Sequence, residues 1–202
     1  MQAARGASLT SGDNDIRPET PDRPAPTSGR PQPSGRHLVV FAAVALTGYA
    51  LDLGTKQLVL ARLEPHTEVP LIGDWFGLFL TFNSGAAFSL GTGYTFALSC
   101  VAIAATVAVL WTARRVASTG WALALGFLLA GVVGNLTDRI FREPSPMRGH
   151  VVDFLRFPNF PVFNVADICI NIAAGLVILQ AIRGLRVDGT RDGEPRRRGP
   201  SQ

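Results

Sequence analysis

Residues 95–113 read TFALSCVAIAATVAVLWTA, a run with no charged side chain. A helix needs about 20 predominantly apolar residues to cross the hydrocarbon core of a bilayer. Nothing in this run would be costly there. Three more stretches share its character. Residues 38–60 are broken only by Asp52 and Lys56, residues 121–137 stay uncharged until Asp138, and residues 157–182 hold the single charge Asp167. Pro158 and Pro161 push the start of the fourth helix towards Phe163, because the residue before a proline is driven out of the helical region. Four such runs predict an all-α membrane protein with four transmembrane helices.

Composition supports that reading. Of 202 residues, 47% are hydrophobic and 17% charged, against roughly 25% charged in an average soluble domain. Seven of the 15 acids lie in the tails, which leaves eight between His37 and Arg183. Residues 1–36, with six prolines among Gly, Ser, Thr and Arg, and residues 184–202, ending in Arg196-Arg197-Arg198, read as disordered tails flanking a membrane domain over 37–183. Arginines precede the first apolar run as in a signal peptide, but no small-residue cleavage site follows, so retention is expected. Two cysteines cannot make a disulfide scaffold. The net charge of +4 is a weak nucleic-acid signal, since the arginines sit mostly at the ends, and no nucleic-acid partner is expected.

The arginines also orient the chain. They crowd both tails and the loop at Arg114-Arg115, which predicts both termini on the cytoplasmic side. Residues 62–94 then face outward. Their segment 69–82, VPLIGDWFGLFLTF, mixes β-branched and aromatic residues with glycine turns. It predicts a few short strands at the membrane surface, a small β-rich extracytoplasmic platform. Residues 139–162 also face outward yet hold Arg139, Arg142, Arg148 and Arg156, against the positive-inside trend.

Asp52, Asp138, Asp153 and Asp167 lie in or beside the apolar runs, where a carboxylate is costly and marks a functional site by default. Solvated residues at the membrane boundary are the ordinary alternative. By topology Asp138, Asp153 and Asp167 share the outer face. Two converging carboxylates can hold one proton between them, activate water as a base and protonate a leaving amine as an acid. Asp138 beside Arg139 is the obvious ion-pair alternative. Lys56 is the only lysine and follows Asp52 at i+4 on one helix face. Ser89, Ser99, Cys100 and Cys169 have no local base motif, and there is no G-x-S-x-G elbow. His37, His66 and His150 lack metal-site spacing, so neither a metal nor another cofactor is expected. These residues alone serve an aspartyl protease and a small proton-coupled transporter equally well. A non-catalytic lipoprotein scaffold is a third reading.

Five motifs separate these readings. They are DLGTK at 52–56, NSGAAFS at 83–89, GNLTDR at 134–139, VVDF at 151–154 and FNVAD at 163–167. In this order, on these elements, the chain closely resembles the lipoprotein signal peptidases (signal peptidase II) over residues 38–182. The resemblance implies a bacterial inner-membrane aspartyl endopeptidase without a cofactor. Such enzymes cut diacylglyceryl-modified prolipoproteins just before the lipidated cysteine. It implies Asp153 and Asp167 as the catalytic pair, with Asp52, Lys56, Asn83, Asn135, Asp138, Arg139 and Asn164 positioning substrate or site. Asp138 is expected to be structural, with Arg139 as its partner. Prolipoproteins and membrane phospholipid are the implied partners, and a monomer is the default. Two departures stand out. The N-terminal tail is extra to the common core, and the segment 142–148, REPSPMR, is longer than usual.

Overall fold

The computed structural model describes residues 35–85 and 94–191. Four helices carry the fold: α1 Gly35–Arg62, α2 Thr95–Ala113, α3 Thr119–Phe141 and α4 Val165–Ile182. Each is long and apolar enough to cross a membrane. Three strands complete it: β1 Glu68–Ile72, β2 Phe76–Asn83 and β3 Val151–Arg156. They form one antiparallel sheet in the order β1-β2-β3. The expected tail over residues 1–34 and 192–202 lies outside the described residues, as do residues 86–89 of the NSGAAFS motif. Gly35 and Arg36, expected in the tail, belong to the first turn of α1.

The helices are sided by size rather than by polarity. On α1 the buried residues are Phe41, Ala45, Gly48, Asp52, Lys56 and Val59, a stripe at helical spacing. Large apolar side chains such as Leu98, Val101, Val107 and Leu110 on α2 point outward, as a lipid-facing surface requires. Small residues line the helix contacts and let backbones approach closely. A Cβ on Gly131 would collide with the Ala166 carbonyl and Ile170 of α4. A Cβ on Gly134 would meet the Asp52 carboxylate. Glycine at 134 therefore lets an acid of α1 pass across α3 towards α4.

The platform includes more than the sequence suggests. β1 and β2 fall inside the expected surface segment. β3 comes from the VVDF motif, and its register with β2 sets Thr81 opposite Asp153 and Asn83 opposite Val151. Leu80, Val152 and Phe154 pack on Val59 of α1, seating the sheet on the end of that helix. Alternation then turns Asp153 to the opposite face of β3 from Val152 and Phe154. Aromatic contacts among Trp75, Phe76, Phe157, Phe160 and Phe163 tie the β1–β2 turn to the chain entering α4.

One expectation is corrected. Composition predicts a disordered tail from Gly184 onward, but residues 184–191 form a closed turn with a bridge between Leu185 and Arg191. The turn folds back on the α2–α3 loop. The Leu185 carbonyl accepts from Trp121 Nε1 at 2.8 Å and the Val187 carbonyl accepts from the Ala117 N–H at 3.0 Å. Val187 packs against the cluster of Phe41, Val109, Ala113, Val116, Ala122 and Leu125. Two apolar side chains and two well-placed donors are enough to order a segment whose average composition is polar.

Gly131→Val should cost about 1–3 kcal/mol through overpacking against α4. Gly175→Val, where a Cβ meets nothing within 4 Å, should leave stability near wild type. Thermal unfolding of both variants in detergent checks this pair; equal melting temperatures would contradict the close α3–α4 contact.

Candidate active site

The site forms where α1, α3, β3 and the start of α4 converge. Its base is Lys56, whose side chain is 0% exposed. An ammonium has three donors, and three acceptors surround this one. Nζ lies 2.8 Å from Asp52 Oδ2, 2.8 Å from Asp138 Oδ2 and 3.1 Å from Asn135 Oδ1. Asp52 and Asp138 are each 1% exposed. A buried charge is tolerable only when paired; Lys56 is ion-paired with both carboxylates, although the buried Asp52 Oδ2 has no hydrogen-bond partner among the described residues.

Each partner reaches a further element. Asp52 Oδ1 accepts from the Ala166 N–H at 2.8 Å, closing a free donor in the first turn of α4. Asp138 Oδ2 accepts from the Val152 N–H at 3.2 Å and so fixes β3 beside α3. Asn135 Nδ2 donates to Asp167 Oδ1 at 2.9 Å.

The α4 N-terminus explains the FNVAD motif. Asn164 is the cap residue. Its Oδ1 accepts from the Asp167 N–H at 3.0 Å, while Asp167 Oδ2 accepts from the Asn164 N–H at 3.2 Å. This reciprocal capping box uses an Asx cap and a carboxylate three residues on. A carboxylate is also favoured at a helix N-terminus by the aligned peptide dipoles. Asn164 does more than cap. Its Nδ2 donates to Asp153 Oδ1 at 2.6 Å and to Asn135 Oδ1 at 3.1 Å. One residue therefore contacts both Asp153 and Asp167.

Asp153 is 2% exposed, whereas Asp167 is half-buried. Asn83, on the last residue of β2, donates from Nδ2 to Asp153 Oδ2 at 2.9 Å. Burial raises the Asp153 carboxyl from an ordinary 3.8 to about 7. The hydrogen bond from Asn83 opposes the rise, the charge of Asp167 adds to it, and the Asn164 hydrogen bond and Lys56 charge oppose it. Asp153 is thus poised to exchange a proton near neutral pH, next to a second carboxylate.

The sequence brings all nine candidate residues to one region, but one pairing is corrected. Asp138 does not pair with Arg139. Its partners are Lys56 and Arg142, the latter one turn along α3 at i+4. Consecutive residues on a helix do not face each other, whereas i and i+4 do. Arg142 is the site residue that the sequence reading missed; its i+4 spacing from Asp138 was the available signal. Arg139 instead lies alongside Gly85, where a Cβ would come within 3.3 Å of Nη2. Its buried Nη1 has no hydrogen-bond partner among the described residues. Among the described residues no three His, Cys, Asp or Glu side chains are grouped as metal ligands.

Four apolar helices hold a buried and a half-buried carboxylate side by side, and comparison with known proteins gives the class. The signal peptidase (SPase) II family model matches residues 44–183. The lipoprotein signal peptidase of Streptomyces coelicolor is 46% identical over 155 residues, 77% of this chain and 76% of that protein. That of Mycobacterium avium is 45% identical over 171 residues, 85% of this chain and 92% of that protein. A solved bacterial membrane enzyme, determined by the in meso method at 1.9 Å, shares the fold with a TM-score of 0.62 at 22% identity, covering 76% of this chain and 97% of its own. The chain belongs to the signal peptidase II family. It is a multi-pass membrane protein and a peptidase, and the transporter alternative finds no support.

The elevated Asp153 carboxyl has a stability consequence. Between pH 3.8 and about 7 the folded protein keeps a proton that the unfolded chain releases. Stability should therefore fall as pH rises through that window and change no further above it. Asp153→Asn should abolish this decline. Melting temperatures of wild type and variant in detergent across pH 4 to 8 (roughly the span of the two ionisations) test it; parallel curves would contradict the assignment.

Proposed function

We propose that Asp153 and Asp167 are the catalytic pair of an aspartyl endopeptidase that removes signal peptides from diacylglyceryl-modified prolipoproteins, cutting just before the lipidated cysteine. The observation that carries this reading is the double hold of Asn164. It bonds Asp153 through its amide and Asp167 through its backbone N–H, so two carboxylates are fixed together with one lifted to about 7.

The chemistry follows from that pairing. The ionised carboxylate takes a proton from water, and the resulting oxygen nucleophile adds to the scissile carbonyl. The protonated carboxyl hydrogen-bonds the carbonyl oxygen and supplies the proton that turns it into a hydroxyl. The diol collapses as the C–N bond breaks, and one of its hydroxyl protons returns to the second aspartate. The amine of the cysteine leaves with a proton from the first aspartic acid, and the signal peptide departs as the new carboxylic acid. Both carboxyls then return to their starting charge. Asn83, Asn135 and Asn164 orient the carboxylates, and Arg139, with an unused donor, hydrogen-bonds the substrate backbone. Asp52, Lys56 and Asp138 hold the framework. No metal or organic cofactor takes part.

The arginine distribution supports both termini being cytoplasmic, with the site at the extracytoplasmic face of a bacterial inner membrane. The signal-peptide helix enters between the spans from the side, and the acyl chains stay among membrane phospholipids. The sheet lies over the site and limits bulk water, which strengthens every electrostatic interaction inside. Residues 37–183 form the peptidase domain, which works as a monomer.

A lipidated prolipoprotein followed by gel shift tests the assignment. Asp153→Asn and Asp167→Asn should each lower turnover by about 10²–10⁴-fold, the range general acid–base catalysis contributes. Wild-type processing by either variant, at normal membrane levels, would overturn the pair. Asp138→Asn should retain substantial turnover in the fraction that inserts and folds, because it acts through Lys56, Arg142 and β3 rather than on substrate.

A further inference from the structure

At the end of the bundle opposite the carboxylates, the last turn of α2, the α2–α3 loop and the folded-back turn after α4 border an open cavity of about 270 Å³. Trp111, Thr112, Arg115, Arg186, Val187 and Asp188 line it. Arg115 is held with its guanidinium 4.4 Å from the centre of the Trp111 ring. Stacking of this kind pre-orients the planar group and leaves its edge donors available. Asp188, an exposed residue of this lining, accepts from Thr190 N–H at 3.1 Å and Thr190 Oγ1 at 2.6 Å.

Two features identify the occupant. The first is charge. Arg36, Arg114, Arg115, Arg183, Arg186 and Arg191 lie at this end, and among the described residues Asp188 is the acid that accompanies them. The second is an apolar path leading away from the cavity. Trp111, Leu110, Val107 and Ile103 are all exposed on α2, and they run from the cavity along the membrane-facing side. A ligand with a negative head and long apolar tails matches both.

We propose that this cavity is a binding site for an anionic membrane phospholipid. Its phosphodiester sits between Arg115 and Arg186, with Trp111 at the headgroup boundary and the acyl chains along α2. Basic pockets beside transmembrane helices take such headgroups through the same charge pairing. The lipid would clamp the turn at 184–191 against the α2–α3 loop. That turn is already seated there by Leu185 and Val187. The site is remote from Asp153 and Asp167, and its occupancy does not depend on their role.

The test uses the full chain, purified in non-ionic detergent and stripped of lipid. It is titrated with dioleoylphosphatidylglycerol or dioleoylphosphatidylcholine, and retained lipid is counted by native mass spectrometry. Phosphatidylglycerol should be retained in preference. Arg115→Gln and Arg186→Gln should each weaken its retention about fivefold, the value of one arginine near an anionic headgroup. Arg114→Gln removes the same charge outside the cavity lining and should change retention less than about twofold. Peptidase turnover by Arg115→Gln should match wild type, which establishes that the variant is folded; if it does not insert, Arg186→Gln decides. Equal retention of phosphatidylcholine would overturn the proposal. So would an equal loss in Arg114→Gln, which indicates a diffuse field, or displacement of lipid by excess inorganic phosphate, which indicates a site for free anions.

Discussion

One buried ammonium holds the carboxylate-bearing end of this molecule together. Lys56 sits on α1 with no exposed surface, ion-paired with Asp52 and Asp138 and hydrogen-bonded to Asn135. Each acceptor then makes a second bond to a different piece of chain. Asp52 closes the start of α4, Asp138 fixes β3, and Asn135 reaches Asp167. The elements that carry Asp153 and Asp167 are thus attached to a single cation. Removing one partner from such a cluster strands the others in a low-dielectric interior, at a cost of about 3–5 kcal/mol. The arrangement is better suited to setting geometry than to adding stability, since a well-packed apolar replacement of the whole cluster could be equally stable.

The two carboxylates differ because their surroundings differ. Asp153 is on a strand whose opposite face is packed on α1, and it is buried almost completely. Asp167 is at the mouth of a helix, half-buried, accepting from the Asn164 backbone N–H and the Asn135 side chain. Burial lifts the Asp153 carboxyl, and the Asp167 charge beside it adds to the rise. The sheet contributes Asn83 from β2 as well as Asp153 from β3, so the platform is part of the site as well as a cover.

Much of this was legible in the sequence, for identifiable reasons. Long apolar runs give a strong signal, and α2 spans the same residues, Thr95–Ala113, that the charge-free run marks. The motif acids were legible because charges are rare in such runs. β3 was harder to see. VVDFLR is short and lacks strict alternation, as expected for a strand buried on both faces. The partner of Asp138 was misread because adjacency in sequence was taken for adjacency in space, and a helix separates the two by about 100°. The turn at 184–191 was invisible because its order comes from contacts with Ala117 and Trp121, distant in sequence. Pairings that depend on tertiary neighbours cannot be read from a local window.

The capping role of Asp167 bears on how this site could respond to inhibition. Its carboxylate closes the first turn of α4 and also accepts from Asn135 beside Asp153. Asn164 has the same double duty, as the cap and as the clamp on Asp153. A compound anchored on these two side chains would rest on groups that folding itself requires. Escape by substitution would then unwind a helix end before it freed the enzyme, so resistance should arise around the rim of the cleft and spare its centre.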